Sequence, residues 1–437
     1  MWTVNSDVGP LKAVMVHKAR IARWKIPLPG MHQLLTRDKQ IYPPEAGVEE
    51  HDRLVKILKE MRVKVFELDT VIKEIIDRAT SEEKEKIISK IWGNNNQKPN
   101  VDELKFNHII YGYPPVPLYD EAKNKVIIPD FIRASIYTRD IAFMTQLGLI
   151  ISKMRLYARK QQPNVVKLAL EMDPELSKNV KILFDANEID EPLDYSPLAI
   201  EGGDVQVIDE ETIAFGVGMR STYTGFLSTM EKIFQNDIEN KIKTICAVRI
   251  VQGAIVGVHL DGSFNFLGKN MALVTPYLHE SDILSKEMPR RKLLLKLIQA
   301  LREDQVQKAQ SLNQLPKISS FSHVGECEIF KKASNGKPIK VGRNKNYIDF
   351  LLKEEKLDKD GIILVGGYPS KKNDMVHLIK VLQEQYREAA NVLTVKPGLV
   401  LAFDRTIETI HALEEKGVKV EKVPSNHLDI RGGPHCM

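Results

Sequence analysis

One pattern recurs along this chain and limits what it can become: strand, turn, strand, helix, strand. It is clearest at 204–251, where DVQVI, a turn at 209–211, TIAFGV, a helical stretch over 221–234 and an apolar run at 244–251 follow in order. It returns at 392–395, a Pro397-Gly398 turn, 399–403, a helix over 406–416 closed by Gly417, and 418–423. Residues 141–154, a helix near 164–170 and a strand at 180–184 make a third copy, and 356–384 a partial one. A unit of this size cannot bury its apolar face alone, so repeats stack on one another, as a solenoid or by closing radially.

Around the repeats lie other elements. LKAVMVH at 11–17 reads as a strand rich in apolar and β-branched residues. Residues 45–61 place Val48, Leu54, Ile57 and Leu58 on one side of a helix, and 63–68 is a short strand. At 72–92 the composition turns helical and charged (IKEIIDRATSEEKEKIISKIW), with Ser81 as the expected N-cap and Glu82 and Glu83 in the first turn. We read 71–112 as a helical insertion that packs or forms a lid. The basic stretch at 282–310 reads as a second helical insertion whose charged face is solvated rather than anion-binding.

Composition settles the broad class. Of 437 residues, 43% are hydrophobic and 28% charged, enough apolar material for a large core. That length alone suggests about three domains, but repeated modules make one body, so 1–437 is expected to be a single catalytic domain. The net charge of +5 is small and its basic residues are interspersed with acidic ones, which argues against nucleic acid or a membrane surface as partner. No apolar run approaches the roughly 18 residues that span a bilayer, and the opening MWTVNSDVGP lacks a basic start and an apolar core. A soluble cytoplasmic protein is expected. Cys246, Cys327 and Cys436 are odd in number, widely spaced and without a CxxC pair, against a disulfide framework or a thiolate zinc site.

The ending Arg431-Gly432-Gly433-Pro434-His435-Cys436-Met437 places a thiol directly after a loop whose glycines allow close backbone approach. Taken alone, Cys436 is a small hydrophobe at a frayed end. Its company changes that reading. VGPLKAVMVH at 8–17, YTRD at 137–140, EGGDV at 201–205, GVGMR at 216–220, HLD at 259–261 and the terminal RGGPHCM together resemble the arginine deiminase family, in the right order across the whole chain. That family belongs to a guanidine-modifying superfamily. The resemblance implies a fivefold pseudosymmetric α/β propeller of ββαβ modules, with the helical stretch inserted.

The expected chemistry follows. A guanidinium carbon is a poor electrophile because its charge is delocalised, so replacing one nitrogen needs an activated nucleophile, a localised charge and a proton donor for the departing amine. The resemblance makes Cys436 the nucleophile, passing through an S-alkylthiouronium, and a bound guanidinium beside the thiol would favour the thiolate. Residues 256–260 read as a strand or strand end, so His259 and Asp261, two apart, leave the same face while Leu260 points away. By resemblance His259 protonates leaving ammonia and then deprotonates water, while Asp261 and Asp140 grip the guanidinium through paired N–H bonds. Glu201 corresponds to the carboxylate that orients and charges the histidine. Asp204 contributes to the site or holds its loop. Arg220 and Arg159 match positions that hold the α-carboxylate of arginine, and Arg431 a loop arginine that gates the pocket.

Departures concern the substrate more than the reaction. Ala134 stands where relatives commonly have asparagine, Gly262-Ser263-Phe264 follows HLD in place of threonine and valine, and TRDKQIYPPEAG replaces an early acidic motif. GVGMRST lacks the usual acidic residue before the arginine and the threonine after it. One residue follows Cys436, and a carboxylate there would raise the thiol pKa unless turned away. The expected activity is hydrolysis of L-arginine to L-citrulline and ammonia, without metal or organic cofactor, by a possible homo-oligomer. An amidinotransferase, a deiminase of agmatine or a methylated arginine, and a non-catalytic binding propeller are the alternatives. The joint presence of Cys436, His259, Asp140, Asp261 and Glu201 speaks against the last.

Overall fold

The chain is α/β, and its sheets repeat one local design. The computed structural model describes residues 1–18, 45–93, 95, 97–114, 118–127, 136–190, 197–250, 258–276, 278, 296–297, 299–300, 323–369, 374–426, 428 and 432–437. Strand β1 (Ala13–Val16) runs parallel to β2 (Lys64–Glu67), joined through helix α1 (Glu45–Glu60). Helices α2 (Leu68–Arg78), α3 (Ser81–Trp92) and α4 (Phe106–Tyr111) follow, then the hairpin β3 (Leu118–Asp120) and β4 (Lys125–Ile127). The short helix α5 (Thr138–Ile141) leads into the first repeat.

That repeat is β5 (Ala142–Met144), β6 (Leu149–Ile151), helices α6 (Gln162–Met172) and α7 (Pro174–Asn179), and β7 (Ile182–Asp185). Strand β6 pairs antiparallel to β5 and parallel to β7. The same pattern is built by β8 (Val205–Asp209), β9 (Thr212–Val217), α8 (Tyr223–Asn236) and β10 (Thr244–Arg249). Strands β11 (Phe264–Gly268) and β12 (Asn270–Val274) begin a third unit. Between its second and third strands lie the hairpin β13 (Cys327–Lys332) and β14 (Pro338–Asn344) and helix α9 (Tyr347–Lys353), before β15 (Leu357–Leu364) pairs parallel to β12. That hairpin joins the preceding sheet, where β13 pairs antiparallel to β10. After α10 (Met375–Tyr386), the fourth unit is β16 (Leu393–Lys396), β17 (Leu399–Phe403), α11 (Ile407–Glu415) and β18 (Lys419–Val423).

Apolar side chains weld neighbouring units together. Phe143 and Ile150 of the first pack with Phe215, Phe226, Ile233 and Ile245 of the second. Cys246 and Val248 of the second share a core with Phe264, Ala272 and Ile362 of the third. Leu273 and Ile363 meet Val400, Ala402 and Leu413 of the fourth, and Leu401 and Phe403 meet Leu54, Leu58 and, at the end of the chain, Cys436. Helices α2 to α4 lay Ile72, Ile75, Ile88, Ile91 and Ile110 against Ile141, Ile151 and Val165. The helices expected within 71–112 therefore form and pack on the first unit.

Three expectations are corrected. Helix α3 is capped by Thr80, not Ser81: the Thr80 hydroxyl accepts the Glu83 N–H and the Glu83 carboxylate accepts the Thr80 N–H, a reciprocal pair that glutamate three residues on makes possible. The partial repeat at 356–384 belongs to a complete unit whose first two strands, β11 and β12, lie far upstream, because the β13–β14 hairpin interrupts it. His259 and Asp261 do not lie in a strand. His259 is extended, and Leu260–Gly262 forms a single 3-10 turn. Most of the 282–310 insertion lies outside the described residues, as do Ala134 and Arg431.

Gly225, in the first turn of α8, tests how tightly the repeats fit. On helix propensity alone alanine would stabilise by roughly 1 kcal/mol. A Cβ there, however, would sit 1.9 Å from the Ala199 carbonyl oxygen, a backbone atom. Gly225→Ala is expected to destabilise by about 1–3 kcal/mol, the range for forced overpacking, and to lower the thermal midpoint.

Candidate active site

Four buried carboxylates gather where the units meet. Glu201 is the last extended residue before the one-turn helix Gly202–Asp204, which feeds β8. Two glycines are needed there. A Cβ on Gly202 would lie 2.0 Å from the Arg139 carbonyl oxygen, and one on Gly203 would lie 2.7 Å from His259 Nδ1. Helix α5 carries Asp140, and the turn after β10 carries His259 and Asp261. Leu260 between them is fully buried in the core shared by the second and third units.

His259 Nε2 donates to Glu201 Oε2 at 2.9 Å, and its Nδ1 stands 3.5 Å from Asp140 Oδ1. Burial favours a neutral imidazole, but Asp140, Asp204 and Glu201 overcome it and raise the pKa to about 10. Burial likewise opposes ionisation of Glu201, yet Arg220, the His259 hydrogen bond and Arg159 hold it far below the usual carboxylate range. The pair is thus an imidazolium on a carboxylate.

Asp204 plays the loop-holding part of its two expected roles. Its carboxylate accepts the Leu260 N–H at 2.9 Å and the Ser221 N–H at 3.1 Å, tying the HLD turn to the GVGMR loop. Burial pushes its pKa up to about 7.

The end of the chain is pinned rather than frayed. The Arg139 N–H donates to the Cys436 carbonyl at 3.2 Å, and the Thr138 hydroxyl donates to the Met437 main-chain oxygen at 2.8 Å. Gly432 lets the backbone pass over Tyr137, whose ring a Cβ would meet at 2.1 Å. Cys436 is 6% exposed, and its thiol lies 3.5 Å from Asp261 Oδ2. Burial pushes the thiol well above its usual pKa, and the Asp261 and Asp140 carboxylates push it further. Asp261 also accepts from His435 Nδ1 at 3.1 Å. Burial would raise Asp261, but His435, His259 and Arg139 hold it below the usual range.

The structure brings Cys436, His259, Asp140, Asp261, Glu201 and Asp204 to one place. Of the arginines expected at the substrate's carboxylate end, Arg159 and Arg220 lie among the site carboxylates. Arg159 is buried with Nη1 2.7 Å from Asp140 Oδ2 and 3.5 Å from Glu201 Oε2, and its Nε donates to Gln162. Arg220 Nη1 lies 3.3 Å from Glu201 Oε2. Both guanidinium groups therefore rest on site carboxylates. Asp140, Glu201 and His259 each offer a ligand atom within 4.8 Å of the others, a grouping able to hold a cation, and the cation against two of them is the Arg159 guanidinium. Among the described residues, the buried Asp140 Oδ1 accepts no hydrogen bond, and its nearest charged neighbour is the His259 ring at 3.5 Å. Sequence reasoning missed Asn391, whose amide lies against the Cys436 sulfur at 3.2 Å. Its only signal was a polar residue amid the apolar run of 389–393.

Comparisons with known proteins bear on this geometry. The family model described as arginine deiminase matches residues 32–111 and 116–437. Arginine deiminases of Bacillus thuringiensis subsp. konkukian and Listeria monocytogenes serotype 4a are each 24% identical to this chain, covering 99% of it and 96% of their own length. That of Mycoplasma capricolum is 24% identical, covering 99% and 95%. Among solved structures, SxtG, an amidinotransferase from Microseira wollei, aligns over 99% of this chain and 95% of its own at 15% identity and a TM-score of 0.47. A Pseudomonas aeruginosa DDAH complexed with citrulline aligns over 98% of each at 13% identity and a TM-score of 0.46.

Two outcomes are expected of the site's polar frame. Asp204→Asn turns an amide N–H toward one of two backbone donors, and should cost about 1–3 kcal/mol as an unmade buried hydrogen bond, read as a lower thermal midpoint. His259 is raised from 6.5 to about 10, so the stability it contributes is complete below pH 6.5 and is lost as pH climbs through 10. Thermal melts across that window should show the wild type losing more than His259→Asn does. Equal losses would remove the imidazolium from the account.

Proposed function

Because the chain belongs to the arginine deiminase family, an enzyme class acting on guanidino C–N bonds, we propose that it hydrolyses L-arginine to L-citrulline and ammonia through a covalent intermediate on Cys436. The observation that carries the reading is the placement of the Cys436 sulfur 3.5 Å from Asp261, in the buried cluster that also holds Asp140 and the His259–Glu201 pair.

With no cation beside it, the thiol is protonated, as burial and carboxylates dictate. A substrate guanidinium seated between Asp140 and Asp261 reverses that sign: its positive charge offsets both carboxylates, the thiol proton leaves to solvent, and the sulfur faces the guanidinium carbon. The two carboxylates fix the plane of the cation for attack. Sulfur adds to the carbon, His259 gives its proton to one terminal nitrogen, and the C–N bond breaks to release ammonia, leaving an S-alkylthiouronium. His259, now neutral, takes a proton from water as its oxygen adds to the same carbon. The C–S bond breaks, the new hydroxyl gives up its proton to solvent as it becomes the ureido carbonyl, the product leaves, and the thiolate is restored. Glu201 keeps the imidazole oriented and charged at the start of each cycle.

Arg159 and Arg220 are proposed to receive the α-carboxylate, which requires them to exchange their present carboxylate partners for that of the substrate. Fold closure belongs to the same proposal. The units share cores pairwise in sequence order, and the fourth packs with β1 and β2, an arrangement that suits a fivefold propeller in one catalytic domain.

Incubation with arginine, agmatine and methylated arginines, measuring ammonia and ureido product, tests the reading. Arginine is expected to be the preferred substrate, with Cys436→Ala lowering turnover by roughly 10⁴-fold or more, as loss of a covalent nucleophile does. Turnover only with an added amine acceptor would make the enzyme a transferase, and equal turnover by wild type and Cys436→Ala would remove the nucleophile.

A further inference from the structure

Asn391 holds the Cys436 turn in a way that no backbone requirement explains alone. Its side-chain carbonyl oxygen accepts two N–H groups, those of His435 and Cys436, each at 3.1 Å. The other end of the same amide donates to Cys436 Sγ at 3.2 Å. Asn391 is 1% exposed, so the amide is fixed in its orientation. Its backbone contributes too, since the His435 N–H also lies 3.4 Å from the Asn391 carbonyl. The second glycine of the terminal motif exists for this contact: a Cβ on Gly433 would lie 2.5 Å from the Asn391 carbonyl oxygen and 2.7 Å from Asn391 Oδ1. Asn265 steadies the other side, donating to the carbonyls of Ala390, next to Asn391, and of Asp261.

We propose that Asn391 is the positioning residue of the nucleophile: its carbonyl shapes the turn that presents Cys436, and its N–H both aims the sulfur and stabilises it as a thiolate. The inference rests on the reading of Cys436 as nucleophile. The electrostatics explain why such a donor is needed. Burial and then the carboxyl groups of Asp261, Asp140 and Glu388 all favour the thiol. His435 sits beside the sulfur in sequence but bonds to Asp261. The N–H of Asn391 is the hydrogen bond to sulfur that acts in the other direction. With a thiolate, that bond becomes charge-assisted and stronger than with a thiol, so it favours the state in which sulfur attacks.

Asn391→Asp separates the two parts. A carboxylate keeps the acceptor for both backbone N–H groups but replaces the donor to sulfur with a negative charge, so Asn391→Ser, which removes the donor without adding charge, is read beside it as the control. Alkylation of Cys436 by iodoacetamide as a function of pH reads thiolate formation directly, because Cys246 and Cys327 are fully buried and Cys436→Ala supplies the background. Asn391→Asp should raise the pH at which alkylation becomes fast and cut kcat roughly tenfold to a hundredfold, the size expected for a lost hydrogen bond to a charged group. KM for arginine should change less than about threefold, since the donor acts on the sulfur rather than on the substrate. Asn391→Ala should show the same fall together with a lower thermal midpoint, because the turn loses its acceptor as well. Asn391→Ser, too short to reach the sulfur, reads the same quantities with the same expected fall, and does so alone if Asn391→Asp does not fold. A wild-type alkylation profile and kcat in either folded variant would overturn the proposal. Failure of the nucleophile reading is separate: it appears as undiminished turnover in Cys436→Ala, whatever Asn391 does.

Discussion

The arrangement depends on carboxylates forced together out of water. Asp140, Glu201, Asp204 and Asp261 are each 3% exposed or less, and such charges are tolerated only when paired or protonated. The chain uses both remedies. Glu201 is paired with His259 and two arginines, Asp261 with His435, and Asp204 is raised to about 7 while two backbone N–H groups satisfy its oxygens. Asp140 keeps one oxygen on Arg159 and sets the other 3.5 Å from the His259 imidazolium. Such a surplus of negative charge around a thiol would, on the proposed reading, suit one flat cation, whose charge would offset the carboxylates that keep the thiol protonated. A guanidine substrate would in this sense supply part of its own catalyst.

Rigid repeats are what make so dense a cluster possible. Every site residue leaves a turn or element end: Glu201 before a one-turn helix, His259 and Asp261 at another, Asp140 on the four-residue helix α5, and Cys436 on the pinned tail. The apolar cores on either side fix these turns. Leu260 anchors the HLD turn in the core of the second and third units, and Cys436 itself packs with Leu401, Phe403 and Leu54. Sulfur from the end of the chain thus reaches acidic groups from its middle with little freedom to lose. Exact fit here is enforced by glycines at 202, 203, 432 and 433, each backed by an atom that a Cβ would strike.

Much of this was legible in the sequence, and the misses have physical causes. Strands β9 and β17 fall where short apolar runs bounded by turns placed them, since such a run reads locally as a strand buried on both faces. Legible too were the acidic and histidine motifs, because their glycines and spacing are unusual. The unit of β11, β12 and β15 was read only in part, at 356–384, because a hairpin donated to another sheet separates β12 from β15, and no local period carries across such an interruption. The geometry of HLD was misread as a strand because alternation and a 3-10 turn both place residues two apart on one side, and three residues cannot distinguish them. Ion pairing of Arg159 with Asp140, and the Asn391 contact 45 residues from Cys436, are tertiary facts with no local signature.

The most direct test of charge complementarity is the ultraviolet absorbance of the thiolate at neutral pH, followed by rapid mixing with L-arginine and compared with Cys436→Ala. The account predicts no Cys436 thiolate signal in the free enzyme and its appearance as arginine binds. A full thiolate signal without ligand, or none at saturating arginine in an enzyme that turns over, would contradict it.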